Sequence, residues 1–272
     1  MNTKCTDKRK HQPIPSPKTG TRAAEAYFSV YTEVDLFFNW FLHLVGSAQS
    51  IQEALGEARV IAADTPEEKR EWKRRAKDAA KPFDELRRQR QLLMEIVLVR
   101  QVEAYLNYLA DLLFEIFTQR PETLLSSDEV KVSDVLQHRT IADVVHELAK
   151  RKVNSLSYRS LDELGEFFEK RFRLQIAPSE SLITIRDGVE TRNISVHNRC
   201  VVNEIYIRRT AGDPAQVGKL RSVTATDYDE ITEAMFNSVK STDKQARTRL
   251  KLKGVRFEPD RDARRKKVRA VR

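Results

Sequence analysis

The feature that most constrains the fold is a proline-free run over residues 21–57, in which apolar residues recur at three- and four-residue intervals. This spacing matches one face of an α-helix, whose period is about 3.6 residues. We therefore expect a long amphipathic helix, with Gly46 as a candidate break. Its apolar face consists of Tyr27, Phe28, Tyr31, Val34, Phe37, Phe38, Phe41, Leu44 and Val45.

A second run with helical spacing extends from Phe83 to Phe117. Pro121 marks its end, because a proline disfavours helical geometry in the residue before it. The side chains expected on its buried face are Leu92, Ile96, Val99, Val102, Tyr105, Leu106, Leu109, Leu112, Leu113 and Ile116.

Residues 58–82 separate the two apolar runs and are expected to form a charged, solvated helical insertion. Thr65 can cap a helix whose first position is Pro66, and Glu68 completes a capping box with Thr65. We expect Pro82 to interrupt this helix.

Shorter helices follow in the second half of the chain. Their expected ranges are 141–153 behind Thr140-x-x-Asp143, 161–172 behind Ser160-x-x-Glu163, 180–207 with a break, and a last helix from about Asp227 behind Thr226-x-x-Asp229. No window shows sustained alternation of apolar and polar residues, which would indicate β-strands. The sequence therefore predicts an all-α bundle with a charged helical insertion and basic terminal extensions.

The net charge of +9 comes from the two ends of the chain. Residues 1–20 carry five Lys/Arg against one Asp, and residues 241–272 carry thirteen against four acids, whereas the central domain over 21–240 is net acidic. Closely spaced prolines indicate that residues 1–20 are extended and disordered. Residues 241–272 are expected to form a basic tail, which either binds a polyanion such as RNA or only solvates the protein. Its candidate RNA contacts are Arg264, Arg265, Lys266 and Lys267.

The compartment is expected to be cytoplasmic and reducing. No apolar stretch approaches the roughly 20 residues of a membrane span, and the first residues lack the apolar core of a secretory signal. Cys5 and Cys200 lie too far apart in the sequence to suggest a zinc cluster or a disulfide framework. We therefore expect no membrane partner.

Several classes of site have no motif in this sequence. The eight glycines form neither a phosphate-binding loop nor a dinucleotide fingerprint, and no G-x-S-x-G elbow is present. His146-Glu147 lacks the second histidine of a zinc protease motif. We expect structural roles for His43, half-buried in the bundle, and for His138 and His146, and we expect no metal and no cofactor.

One stretch, residues 190–206, combines a fixed cation, amides and a histidine within seven residues. On a helix, Asn193 and His197 share one face because they are four positions apart. Histidine can both accept and donate a proton near neutral pH, and the planar fork of Arg192 suits phosphate oxygens. The neighbouring Ile194, Val196, Val201 and Val202 can anchor the segment in the core. This chemistry suits cleavage of a phosphodiester without a metal ion.

The string R-N-I-S-V-H-N, followed by two valines and Tyr206, resembles the R-x(4–6)-H motif of the HEPN superfamily, in which Asn commonly follows the Arg. Residues 102–113 are similar to the second core helix of that family. The resemblance covers roughly residues 22–240 and implies a HEPN-like helical bundle that usually forms a homodimer.

The resemblance also implies a metal-independent endoribonuclease that leaves 2′,3′-cyclic phosphate and 5′-hydroxyl ends. His197 would transfer the proton, Arg192 would stabilise charge on the phosphate, and Asn193 would orient the phosphate or the histidine. Asn198 and Arg199 are candidate RNA contacts beside the motif. An acidic helper from the second helix is sometimes present in the family, and the candidates here are Glu103 and Asp111.

Many members of this family belong to toxin–antitoxin or other host-defence systems, so the resemblance adds an antitoxin or another regulatory protein as an expected partner. The chain departs from compact members in its insertion, in its basic tail, and in Arg199-Cys200 where glycine is frequent. Two alternatives stay open. The chain is either a non-catalytic HEPN-like module that binds RNA or protein, or a helical DNA-binding or scaffold protein that acts through its tail.

Overall fold

The computed structural model describes residues 16–124, 135 and 137–257, and α-helices dominate these ranges, so the expected all-α class is confirmed. A two-residue strand near each end, β1 (Thr19–Gly20) and β2 (Val255–Arg256), pairs in antiparallel register. Short 3₁₀ turns lie at Pro121–Leu124 and Pro214–Gln216. The α-helices of the described residues are α1 (Arg22–Ala62), α2 (Pro66–Arg88), α3 (Arg90–Gln119), α4 (Ile141–Ser157), α5 (Leu161–Phe172), α6 (Ser179–Asn198), α7 (Glu204–Thr210) and α8 (Ala225–Leu250).

Helix α3 lies at the centre of the bundle, where it packs against α1, α4, α6 and α8. The expected core positions from Val102 onward are buried, apart from the half-buried Leu106. The expectation is wrong for Leu92 and Ile96, which are exposed. In the first turns of α3 the buried face is instead formed by Met94, Val97 and Leu98.

Helix α1 is continuous through Gly46, so the candidate break there is wrong. Its first half packs into the core through Tyr27, Phe28, Tyr31, Val34 and Phe38. Its second half leaves the bundle and packs against α2. Phe37 and Leu44, which neither the bundle nor α2 covers, are exposed. The single apolar face expected for this helix is therefore buried in the bundle along one part and exposed to solvent along the other.

Helix α2 begins as expected, since the backbone N–H of Glu68 donates to Thr65 Oγ1 at 3.2 Å and the backbone N–H of Thr65 donates to Glu68 Oε2 at 3.3 Å. The expected interruption at Pro82 is wrong, because Pro82 lies inside α2. A proline removes one helical hydrogen bond and leaves the carbonyl four residues earlier without a donor. That carbonyl belongs to the exposed Asp78, where water can satisfy it.

Capping boxes start three later helices. Thr140 with Asp143 and Ser160 with Glu163 cap α4 and α5 as expected. The last helix starts earlier than expected, because Thr224 rather than Thr226 is its cap, and Asp227 accepts the backbone N–H of Thr224 at 2.9 Å. Asp227 also accepts a hydrogen bond from Arg221 at 3.2 Å, which favours the earlier start.

The boundary expected at residue 240 falls inside α8, where Thr242, Asp243 and Ala246 are buried. Asp243 accepts hydrogen bonds from the backbone N–H and the hydroxyl of Thr21, at 3.0 and 2.6 Å. The chain stays attached to the bundle through β2 and Phe257, so the described part of the expected tail belongs to the fold. Arg264, Arg265, Lys266 and Lys267, and residues 1–15, lie outside the described residues.

No helix among the described residues combines the length and the apolar character needed to cross a lipid bilayer.

Two helical glycines should respond in opposite ways to alanine. A Cβ at Gly188, in α6, would lie 2.5 Å from Ile231 Cγ2 in α8, whereas a Cβ at Gly46 would meet nothing within 4 Å. We expect Gly188→Ala to destabilise the protein by about 1–3 kcal/mol through overpacking, and Gly46→Ala to stabilise it by up to about 1 kcal/mol through helix propensity. Urea denaturation of both variants measures the two free energies of unfolding. Equal effects would contradict close packing between α6 and α8.

Candidate active site

Arg192, Asn193 and His197 line one cavity of about 490 Å³, as their spacing predicts. All three project from the last two turns of α6. The opposite walls come from α3, from α7 and from the loop between α4 and α5. The other residues that line the cavity are Leu106, Asn107, Ala110, Leu113, Leu156, Ser157, Tyr158, Arg159, Ser160, Leu161, Leu164, Val189, Glu190 and Arg209.

The guanidinium of Arg192 is held on two sides. Its Nη2 donates to Glu103 Oε1 of α3 at 3.2 Å, and its Nη1 donates to Asn193 Oδ1 at 3.2 Å. Its Nε is buried and has no hydrogen-bond partner among the described residues. Two hydrogen bonds from one planar group fix its orientation, so Arg192 is preorganised at the cavity wall.

Asn193 connects Arg192 to a second ion pair. Its Nδ2 donates to Glu190 Oε2 at 3.2 Å, and Glu190 in turn accepts from Arg209 Nη1 at 2.9 Å. The side chain of Glu190 is only 6% exposed, so its charge requires these donors. Sequence reasoning missed both Glu190 and Arg209. The three-residue spacing of Glu190 from Asn193 was a signal for the carboxylate, whereas Arg209 arrives from another helix.

His197 is exposed in the last turn of α6. Its imidazole makes no hydrogen bond or ion pair with the residues that the structure describes. Both ring nitrogens are therefore available to a ligand in the cavity, as a group that both accepts and donates a proton requires.

Asn198 and Arg199, the candidate RNA contacts beside the motif, end helix α6. The Nδ2 of Asn198 donates to the carbonyl of Val201 at 2.6 Å, so this amide closes the turn. Arg199 is exposed but does not line the cavity. Arg199 and Cys200 both adopt left-handed backbone geometry, with φ of 53° and 60°. Neither residue is a glycine, so both hold a side chain in a backbone conformation that costs free energy.

Contacts on the inner side of this turn hold it in place. The thiol of Cys200 donates to Ser195 Oγ at 3.1 Å, and burial raises the pKa of that thiol. Ile194 and Val202 are buried against Tyr206, which confirms their expected anchoring role. The same expectation is wrong for Val196, which is exposed, and holds only partly for the half-buried Val201.

A charged network behind the apolar cluster connects α6, α7 and the start of α8. Tyr206 Oη donates to Asp187 Oδ1 at 2.5 Å, and Arg221 Nη2 donates to Asp187 Oδ2 at 3.0 Å. Burial, followed by the hydrogen bond to Asp187, raises the pKa of Tyr206. Because Tyr206 stays protonated and paired, its role here is to fix the position of α7 rather than to exchange protons.

The two candidate acidic helpers lie in different places. Glu103 contacts Arg192 directly, as described above. Asp111 instead lines a separate cavity of about 620 Å³ beside Arg22, Phe114 and Glu115. Eight residues along α3 amount to about 12 Å of rise, so Asp111 lies two turns away from Glu103. The structure therefore brings only Glu103 to the motif.

The loop between α4 and α5 adds groups that sequence reasoning did not single out. Tyr158 is 93% exposed, and Arg159 and Ser160 follow it at the cavity wall. An exposed aromatic ring beside an arginine is a typical surface for stacking a nucleobase and holding its phosphate. These residues lie about 35 positions before the motif in the chain, so only folding brings them to it.

His43, His138 and His146 do not line this cavity. His146 packs edge-on against Phe114 with 5.0 Å between ring centroids, in agreement with a structural role. His43 is exposed, so the expectation that it is half-buried in the bundle is wrong. Among residues 16–124, 135 and 137–257, no group of three or more His, Cys, Asp or Glu side chains is arranged to hold a metal ion.

No protein-family model, no curated protein and no solved structure matches this chain.

The left-handed turn offers a direct test of the local geometry. We expect Arg199→Gly to stabilise the protein by about 0.5–1 kcal/mol, because glycine adopts φ of 53° without strain. The same change at Arg208, inside helix α7, should destabilise it by about 1 kcal/mol. Thermal and urea unfolding measure both effects. Destabilisation by Arg199→Gly would mean that the arginine side chain contributes more than the turn costs.

Proposed function

We propose that this protein is a metal-independent endoribonuclease of the HEPN type. The observation that carries the proposal is the convergence of Arg192, Asn193 and His197 on one cavity, with Arg159 and Arg209 on its other walls. Three guanidinium groups and an accessible imidazole form an environment suited to a phosphodiester. Arg159 makes no direct ion pair with the described residues, and the carboxylate that its charge acts on is the exposed Glu163.

The proposed reaction is a transesterification within the RNA. His197 accepts the proton of the 2′-hydroxyl, the 2′-oxygen bonds to phosphorus, and the bond from phosphorus to the 5′-oxygen breaks. The proton returns from the imidazolium to the leaving 5′-oxygen. The products are a 2′,3′-cyclic phosphate and a 5′-hydroxyl, and DNA is spared because it lacks the attacking group.

Arg192 stabilises the negative charge that develops on the phosphoryl oxygens. Its hydrogen bond to Glu103 at 3.2 Å fixes the guanidinium before substrate arrives, which lowers the cost of reorganisation during the reaction. Asn193 holds the other side of Arg192, and Glu190 with Arg209 holds Asn193. In this proposal Glu103, Glu190 and Arg209 are positioning residues.

Tyr158 gives the site its preference for single-stranded RNA. Bases in a duplex are already stacked, whereas an unpaired base can stack on the exposed ring of Tyr158 beside Arg159.

Replacement of His197 tests the reaction. We expect the wild type to cleave single-stranded RNA in EDTA, to leave cyclic phosphate ends, and to spare the 2′-deoxy analogue. His197→Ala should lose at least about 100-fold in rate, since it removes the proton acceptor. His43→Ala, at an exposed histidine outside the cavity, is the matched control and should keep full activity. Activity lost in EDTA and restored by Mg²⁺ would overturn the mechanism.

Replacement of Arg192 by lysine tests the planar fork. Lysine keeps the charge but cannot bind Glu103, Asn193 and a phosphate in one plane, so we expect a loss of about 10²–10³ in kcat with normal folding. Arg208→Lys, on the exposed side of α7, is the control. A near-normal kcat for Arg192→Lys would reduce Arg192 to a positioning charge.

Two variants of Tyr158 test base stacking. We expect Tyr158→Ala to weaken RNA binding by about 5- to 150-fold, the range of one lost stacking contact, whereas Tyr158→Phe should bind normally because the ring is retained. Fluorescence anisotropy with a labelled oligonucleotide measures both affinities. Equal loss in the two variants would assign the effect to the hydroxyl.

A non-catalytic RNA-binding module is the second candidate. It is favoured by the two hydrogen bonds that already occupy Nη1 and Nη2 of Arg192. In that case the wild type binds RNA without cleaving it, and His197→Ala leaves the affinity unchanged.

A further inference from the structure

The outward side of the α1–α2 hairpin carries a regular apolar stripe that the bundle does not use. We call it the outer stripe. Its residues follow one another along α1 at intervals that alternate between four and three positions. They are Phe37, Phe41, Leu44, Ala48, Ile51, Leu55, Ala58 and Ala62. The average interval of 3.5 residues is the heptad period of a coiled coil, in which a second helix packs along such a seam.

Most of the outer stripe faces solvent. Phe37, Ile51 and Leu55 are 53%, 62% and 54% exposed, and only Phe41 is half-buried. Helix α2 covers a different side of α1, where Gly56 comes so close to Ala76 that an added Cβ would lie 2.9 Å from the Cβ of Ala76. Within residues 39–93, none of the residues whose burial the structure describes is buried. The hairpin therefore lacks a core of its own.

The side chains of the outer stripe are complementary in size to those of a second outer stripe that runs in the opposite direction. When a second copy of α1 is placed antiparallel, with the two-fold axis between residues 49 and 50, each large side chain meets a small one or a leucine. The resulting pairs are Phe37 with Ala62, Phe41 with Ala58, Leu44 with Leu55, and Ala48 with Ile51. Such pairing of unlike heptad positions is the arrangement that an antiparallel coiled coil produces, and alternating large and small residues fill its layers.

Charges along the hairpin allow this pairing. The stripe itself contains no charged residue. In this heptad Glu53 and Glu57 take positions f and c, which point away from the second copy. Arg59 flanks the seam at an e position, beside residues 36–44 of the second copy, which include no Asp, Glu, Lys or Arg, so no like charges face each other. An isologous dimer uses the same patch on both chains and requires this kind of self-complementarity.

We propose that the outer stripe is a dimer interface and that its occupant is a second copy of the outer stripe in antiparallel orientation. The seam runs from Phe37 to Ala62, about 38 Å at a rise of 1.5 Å per residue. The helix is already formed and is anchored in the bundle by its first half. Dimerisation therefore does not include the free-energy cost of forming the helix. The proposal stands independently of the nuclease site, since the outer stripe contains none of the cavity residues.

The test uses the full chain and the Leu44–Leu55 layer. Sedimentation equilibrium should show a wild-type dimer. Leu44→Lys or Leu55→Glu alone places a charge against leucine twice per dimer, and we expect either change to raise the dimer dissociation constant by at least about 100-fold. Ser50→Lys, exposed on another side of α1, is the matched control and should remain dimeric.

The double variant Leu44→Lys/Leu55→Glu tests the register. In the antiparallel arrangement each lysine faces a glutamate of the other copy, so dimerisation should return. In a parallel pair, lysine would face lysine and glutamate would face glutamate. The double variant would then stay monomeric. Circular dichroism of each variant establishes that the helices remain folded.

Three results would overturn the proposal: a wild-type monomer at high concentration, a dimer insensitive to both single changes while these remain folded, or a double variant that stays monomeric. A dimer insensitive to both changes would assign association to another face.

Discussion

Burial of α3 is the constraint on which the rest of the structure depends. Its buried side includes polar groups, which fix its register as well as its contacts: Tyr105 Oη lies 2.9 Å from Ser238 Oγ of α8, and Gln101 Nε2 donates to the carbonyl of Tyr31 in α1 at 3.3 Å. A buried polar group without a partner costs free energy, so sliding α3 along its neighbours is disfavoured. Glu103 lies between these two residues and is thereby set opposite Arg192 of α6.

The candidate site follows from this registry. Carboxylates from α3 and α6 hold two arginines and one amide, while His197 and Arg159 remain without ion pairs in the described chain. Preorganised donors and a free proton carrier are the two requirements of the proposed cleavage. The turn after His197 is held in left-handed geometry by Ile194, Val202 and Tyr206, so local strain is balanced by packing.

The fold class and several helix ends could be predicted because they depend on local chemistry. The caps at Thr65, Thr140 and Ser160 need only a hydroxyl and an acidic side chain three residues later. Pro82 and the start of α8 could not be predicted in this way. At Pro82 the freed carbonyl is exposed to water, and at the start of α8 Asp227 receives a further hydrogen bond from Arg221, which the spacing of the two Thr-x-x-Asp pairs does not encode.

By itself the sequence determined an all-α chain and the grouping of Arg192, Asn193 and His197, because Asn193 and His197 share a helix face at four positions apart and Arg192 directly precedes Asn193. Only the tertiary structure decided that Glu103 rather than Asp111 meets Arg192, and that Glu190, Arg209 and Tyr158 join them. Contacts between distant segments depend on how helices pack, which local spacing does not encode. For the same reason the sequence could not show which apolar side chains of α1 are buried, since an apolar stripe has the same spacing whether the bundle covers it or leaves it exposed.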